Sequence, residues 1–218
     1  MSLDREAMAA ALCLYAVTDR SWKPDMPLYR QVELALKGGV TMVQLREKNL
    51  SKKEFLEEAY RLKKLCRIYQ VPLIINDDVE IALESDADGV HVGQEDMAAQ
   101  RARCLLGPDK ILGVSAHSVE EAREAEAAGA DYLGVGAAFG SATKKDAKPI
   151  DRRTMRAICQ AISIPVVAIG GITKGNLKQL AGTGVKGVAL ISAIFAAENI
   201  AEECSELLNL SRQMTGSR

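Results

Sequence analysis

No apolar run in this chain approaches the roughly 18 residues of a membrane-spanning helix, and Met1–Ala11 lacks the hydrophobic centre of a signal peptide. A surplus of charge is missing as well. Formal net charge is −1, so nothing advertises nucleic acid or an anionic membrane as a partner. Cysteines are never paired as C-x-x-C. Cys13, Cys66, Cys104, Cys159 and Cys204 stand singly, odd in number and mostly within apolar segments, which reads as buried reduced thiols. There is no interdomain linker, no low-complexity tract and no G-x-G-x-x-G turn after the first strand candidate. What is left is a cytoplasmic, single-domain reading over the 218 residues, a length that α/β barrels commonly use.

Within that length four segments share one grammar: a helix, a break of small residues, then a short β-type run. They lie around Gly38-Gly39, Ser85-Asp86, Gly129 and Gly182-Thr183-Gly184. Glycine at three of the breaks suits a left-handed C-cap, and Ser85-Asp86 is a weaker version. Further strand candidates fall between them at Leu12–Val17, Leu73–Asn76, Ile111–Ser115 and Pro165–Ile169. Amphipathic helices are expected at Leu28–Lys37, Lys52–Tyr69, Ala98–Leu106, Val119–Ala128 and Arg152–Ala161, and from about Ala201. Ser51 with Glu54 forms an S-x-x-E capping box, and Asp151 stands as another N-cap. Strands alternating with helices point to a single-domain (β/α)8 TIM barrel, with a doubly wound open sheet as the alternative. The longest loop, at about 137–150, follows strand six and would lie over the active site.

Polar residues collect where such a barrel gathers its strand ends. Gln44, Arg46 and Lys48 alternate along Met42–Lys48, so on a continuing strand they share one face, opposite Val43 and Leu45. Inward-facing cations are costly unless an anion meets them. The other reading ends the strand at Leu45 and leaves Arg46 and Lys48 as solvated loop charges. Asn76-Asp77-Asp78 ends strand three and Gln94-Glu95-Asp96 follows strand four. Carboxylates from neighbouring strands together with several cations suit Mg²⁺ and a polyphosphate. Each triplet could equally cap the helix that follows. His91 reads as a satisfied core histidine and His117 as loop structure, neither with a catalytic role. Glu47 points away from the Gln44 face toward a neighbouring cation. Ile169-Gly170-Gly171 and Leu190-Ile191-Ser192, after strands seven and eight, offer backbone N–H groups for a second anion or merely tight turns.

At these residues the chain resembles the thiamine phosphate synthase family. Leu14–Asp19, Gln44–Lys48, Ile75-Asn76-Asp77, Gly89–Asp96, Gly113–His117, Thr143–Asp146 and Ile169–Ile172 occur in the family's order over nearly the whole length. The resemblance implies a transferase that joins an aminopyrimidine diphosphate to a thiazole phosphate and releases pyrophosphate. By similarity Gln44, Arg46, Lys48, Asn76, Ser115 and Lys144 would hold the diphosphate, with Arg46, Lys48, Lys144 and Ser115 as the catalytic set. Asp77 and Asp96 would bind Mg²⁺. Ser141, Ala142, Thr143, Gly171, Ile191 and Ser192 would hold the thiazole phosphate. One departure stands out: Gly140-Ser141 occupy the place of the family's usual Pro-Thr. A thiazole tautomerase-like isomerase and a non-catalytic thiazole-phosphate-binding protein are the rivals, and neither requires the full diphosphate-binding set.

Overall fold

The structure is a computed structural model that describes residues 3–93, 97–140 and 149–216. Eight parallel strands close into a barrel in sequence order, with β1 (Leu14–Val17) hydrogen-bonded to both β2 (Met42–Leu45) and β8 (Gly187–Leu190). Between them run β3 (Leu73–Asn76), β4 (Gly89–Val92), β5 (Ile111–Ala116), β6 (Tyr132–Gly136) and β7 (Val166–Ile169). Helices α1 (Arg5–Ala11), α2 (Leu28–Lys37), α3 (Lys52–Ile68), α4 (Val79–Glu84) and α5 (Ala99–Leu106) belong to the first half of the chain. The second half adds α6 (Val119–Ala127), α7 (Arg152–Ala161), α8 (Ser192–Phe195) and α9 (Ile200–Thr215). The closed barrel sets aside the doubly wound alternative. No helix among the described residues is long and apolar enough to cross a membrane.

The strand sequences follow from having both faces covered. β1 and β2 are buried at every position, and the two-residue side-chain period sorts their residues into two layers. Leu14, Ala16, Val43 and Leu45 face the helices in the larger core. Tyr15, Val17, Met42, Ile74, Ile111, Tyr132, Val167 and Ala189 fill the barrel interior. Met8 and Leu12 join that inner cluster, so α1 covers the N-terminal mouth and leaves the opposite mouth for chemistry. Leu12 therefore belongs to the plug and not to the first strand, which starts at Leu14.

Local signals hold where backbone chemistry is specific. Ser51 and Glu54 cap α3 reciprocally, and Asp151 caps α7 by accepting from Thr154 N–H at 2.7 Å. The expected left-handed breaks occur at Gly39, Asp86 and Gly129, with φ of 94°, 53° and 89°. The fourth break is left-handed too, with φ of 75° at Gly182 and 101° at Gly184, but it follows a 3-10 turn, Leu177–Leu180, in place of an α-helix.

Candidate functional site

β2 stops at Leu45 because the chain changes partner there. Thr18, fully buried just beyond β1, donates its N–H to Gln44 O (2.9 Å), and its Oγ1 accepts the Arg46 N–H (2.9 Å). The alternation expected through Lys48 therefore ends early. Gln44 points into the barrel and is only 4% exposed, and Arg46 is half-buried on the wall of the cavity at the C-terminal mouth. Lys48 is exposed and is not part of that wall, so the shared-face expectation fails for it. Glu47 turns away from the mouth, as expected, and accepts from Arg20 Nε at 3.0 Å.

The cavity has a volume of about 340 Å³. Gln44, Arg46, Asn76 and Ser115 line one side of it, and Gly171, Ile191 and Ser192 line the side formed after β7 and β8. The barrel thus brings together seven of the expected site residues from five strand ends. Asp96, Ser141, Ala142, Thr143 and Lys144 lie outside the described residues. The N-cap of α5 is Ala98, which makes no side-chain cap hydrogen bond of its own; the capping role considered for Asp96 falls outside the described residues.

Asn76-Asp77-Asp78 divides its duties. Asp78 caps α4, accepting from Ile81 N–H at 2.9 Å. Asp77 does not cap. Its backbone takes a left-handed φ of 64° while its N–H donates to His91 O at 2.8 Å, and its exposed carboxylate accepts from the Asn76 amide. A non-glycine residue at positive φ is uncommon, and Asp is among the residues that tolerate it best. The carboxylate is a hard oxygen donor of the kind a hydrated Mg²⁺ takes, although Asp77 is not among the residues that line the cavity. Among the described residues no group of three or more His, Cys, Asp or Glu side chains converges on a metal position.

The loop that follows β6 is tied down at both ends. Ala138 and Phe139 donate to Ile169 O and Gly170 O (2.8 and 3.0 Å), and Ile150 N–H returns to Ala137 O at 2.7 Å. Gly170 and Gly171 have φ of 98° and 65°. A Cβ on Gly171 would overlap Gly140 O and come within 3.0 Å of the Phe139 carbonyl. The role expected for Gly171, room for a phosphate, is thus joined by another: room for the neighbouring loop. Gly140 itself has φ of 81°, a conformation closed to proline, whose ring holds φ near about −65°. The glycine in place of the family's usual proline thus takes a conformation that proline cannot adopt.

Sequence reading missed Tyr15 and Tyr132 as members of the site region and kept His91 in the core. Tyr15 and His91 line the cavity, and fully buried Tyr132 hydrogen-bonds to both. His91 is satisfied, as expected, but in the cavity wall. Burial holds the hydroxyls of Tyr15 and Tyr132 above the usual tyrosine range, so both stay protonated at neutral pH. His117 bonds to Glu121, its N–H and Nδ1 meeting the same carboxylate oxygen at 2.7 and 3.0 Å at the start of α6, and it also lines the cavity, which the reading as loop structure alone did not anticipate.

Residues 14–194 match the family described as thiamine monophosphate synthase. A thiamine-phosphate synthase of Clostridium acetobutylicum is 49% identical over 200 residues, covering 92% of this chain and 95% of that one. The thiamine-phosphate synthase of Caldanaerobacter subterraneus is 51% identical over 183 residues, covering 84% and 86%. Among solved structures, a thiamine phosphate pyrophosphorylase from Pyrococcus furiosus superposes with a TM-score of 0.88 at 41% identity, covering 95% of this chain and 98% of that one. With its barrel, its cavity and this likeness along nearly its full length, the chain belongs to the thiamine monophosphate synthase family.

Proposed function

We propose that the two sides of the cavity take two phosphorylated substrates, a pyrimidine diphosphate on the Gln44, Arg46 and Asn76 side and a thiazole phosphate on the Gly171, Ile191 and Ser192 side. The observation that carries this reading is their meeting in one cavity of about 340 Å³, small enough to hold two ring systems against each other. Pyrophosphate departs with the electron pair of the C–O bond, and the electron-rich aminopyrimidine stabilises the methylene cation left behind. The thiazole nitrogen then supplies the pair for the new C–N bond. It carries no proton, so no general base is required, and no side chain need act as nucleophile. Arg46 on the wall, together with Lys48 and Lys144, would neutralise the leaving charge. Asp77 and Asp96 would hold Mg²⁺, which when bound adds Lewis-acid neutralisation of the diphosphate.

Support comes from the family membership and from the clustering of Gln44, Arg46, Asn76 and Ser115 along one wall. Pyrophosphate release, followed with both substrates and Mg²⁺, tests the reading. Release is expected only when both substrates are present, with thiamine phosphate formed in equal amount. A protein that isomerises a thiazole phosphate without the diphosphate, or binds it and does nothing more, would overturn it.

A further inference from the structure

Asn176 stands at the start of the 3-10 turn Leu177–Leu180, a place where asparagine ordinarily caps with its side chain. It makes no cap bond there. The carboxamide reaches back along the chain instead. Its Nδ2 donates to Gly171 O at 2.9 Å, and its Oδ1 accepts the Thr173 N–H at 2.8 Å. Reversing the carboxamide would set oxygen against oxygen and N–H against N–H, so its two backbone partners fix its orientation. The Asn176 and Leu177 N–H groups both donate to Thr173 O, at 3.2 and 3.0 Å, and fully buried Leu177 anchors the turn in the core.

The bond to Gly171 O decides which way a peptide plane faces. Gly171, Ile172 and Thr173 line the cavity, whereas Asn176 does not. A trans peptide points its C=O and its N–H in opposite directions. With Gly171 O drawn out of the wall by Asn176, the Ile172 N–H turns toward the cavity. The preceding peptide is held in the same way: Gly170 O accepts from the Phe139 N–H at 3.0 Å, and Phe139 is not in the wall either. Neither the Gly171 N–H nor the Ile172 N–H has a partner among the described residues. Glycine at φ 65° gives the 171–172 plane little stiffness of its own, so its orientation depends on what takes its carbonyl. Two successive backbone N–H groups on a cavity wall form the kind of donor pair that an anion takes.

We propose that Asn176 is a positioning residue: its carboxamide fixes the Gly171–Ile172 peptide so that the Ile172 N–H, beside that of Gly171, is presented to the phosphate of the thiazole substrate. The identity of that anion rests on the function proposed above; the orientation of the peptide does not.

The two parts separate experimentally. Amide spectra of ¹⁵N-labelled, substrate-free protein, titrated with inorganic phosphate at constant ionic strength, read the two N–H groups directly. In the wild type the Gly171 and Ile172 signals are expected to move together, with one dissociation constant. Two variants remove the clamp: Asn176→Ala, and Asn176→Leu, which keeps the shape of the side chain without its polar atoms. Each should raise that constant about tenfold or more, the worth of one hydrogen bond to a charged group. In turnover the KM for the thiazole phosphate should rise by a similar factor, with the KM for the pyrimidine diphosphate near its wild-type value. Lys174→Ala controls for general loosening of the turn, because Lys174 pairs with Glu203 and Glu206 of α9, each at 2.8 Å, without touching the Gly171 peptide. It should leave both KM values near those of the wild type. Wild-type Gly171 and Ile172 signals that stay still under phosphate would overturn the proposal even if the Asn176 variants failed to fold. So would an unchanged dissociation constant in those variants, an equal rise in both KM values, or an equal effect of Lys174→Ala. If the wild type takes phosphate at these amides and the Asn176 variants lose it, yet no pyrophosphate is released in turnover, the proposed reaction falls and the orienting role of Asn176 stands.

Discussion

At position 77 a carboxylate sits on a backbone held at φ 64°, a conformation that costs a non-glycine residue on the order of 1 kcal/mol or more. Helix capping does not explain it, because Asp78 performs that service for α4. Asp77→Asn separates charge from shape: asparagine tolerates the same left-handed backbone and keeps an oxygen in place, but carries no charge to hold a cation. Turnover is expected to fall about a hundredfold, the scale on which single electrostatic contributions to catalysis are measured, with the Mg²⁺ requirement moved to higher concentration. The thermal midpoint should stay near that of the wild type. Pyrophosphate release across a Mg²⁺ titration, with melting followed in parallel, checks both; wild-type turnover at low Mg²⁺ would remove Asp77 from the metal site. Lys48 shows the limit of reading such residues from spacing. A two-residue period holds only while the strand lasts, and here Thr18, distant in sequence, captures the Arg46 N–H and ends it.

Between elements, the turn after β7 and the loop after β6 form one packed unit. Gly170-Gly171 lets the 137–140 backbone lie directly against it, and two backbone hydrogen bonds, Ala138 N–H to Ile169 O and Phe139 N–H to Gly170 O, fix the contact. Gly171→Val would therefore do two things: place a branched side chain at φ 65° and drive it into the Phe139–Gly140 backbone. A phosphate-binding role alone would confine the KM rise largely to the thiazole phosphate. The packing predicts KM increases for both substrates of about tenfold or more, together with a loss of stability of roughly 1–3 kcal/mol from overpacking. Steady-state kinetics with each substrate varied in turn, and a urea titration, decide between the two; a rise for one substrate alone with unchanged stability would show that the loop does not feel the change. Elements whose ends are marked by backbone chemistry were legible, such as α3 with its Ser51–Glu54 box and α7 with Asp151. α1 and the 3-10 turn at Leu177–Leu180 were not. They are short, and their placement is decided by what they cover: Met8 and Leu12 earn their burial inside the barrel and not on an amphipathic face of their own.

Closing the barrel also decides which groups lose water, a property that no local pattern carries. Tyr15 and Tyr132 are 117 residues apart, and only the strand order places their hydroxyls in contact. The same closure buries Cys13, Cys66 and Cys204, as their apolar sequence settings suggest, whereas Cys104 is exposed and departs from that expectation. Cys66 and Cys204 are fully buried, and loss of water pushes each up to about 12 from the ordinary 9.0; Cys159, partly buried, goes to about 11. For an acid whose folded pKa is raised, the folded chain keeps a proton that the unfolded chain releases. That contribution to stability is whole below about pH 9 and is lost as pH climbs through the folded values. Each such thiol removes at most about 1.4 kcal/mol per pH unit within that window. Carboxylates act with the opposite sign: Asp151, lowered by its bonds to Thr154, and Glu126, lowered chiefly by Ser163, contribute above the ordinary carboxylate range and lose that contribution as pH falls through their folded values. The stability profile should accordingly be level through neutrality and fall above pH 9. Lysines and tyrosines also titrate on the alkaline side, so the thiol share is isolated by comparison. A Cys66→Ala, Cys204→Ala double variant is expected to start lower at pH 7, because it leaves small cavities, yet to decline less steeply with pH than the wild type. Urea midpoints measured at half-unit steps from neutrality to pH 10.5 test this. Parallel declines in the two proteins would mean that the buried thiols play no part in the alkaline limit of the fold.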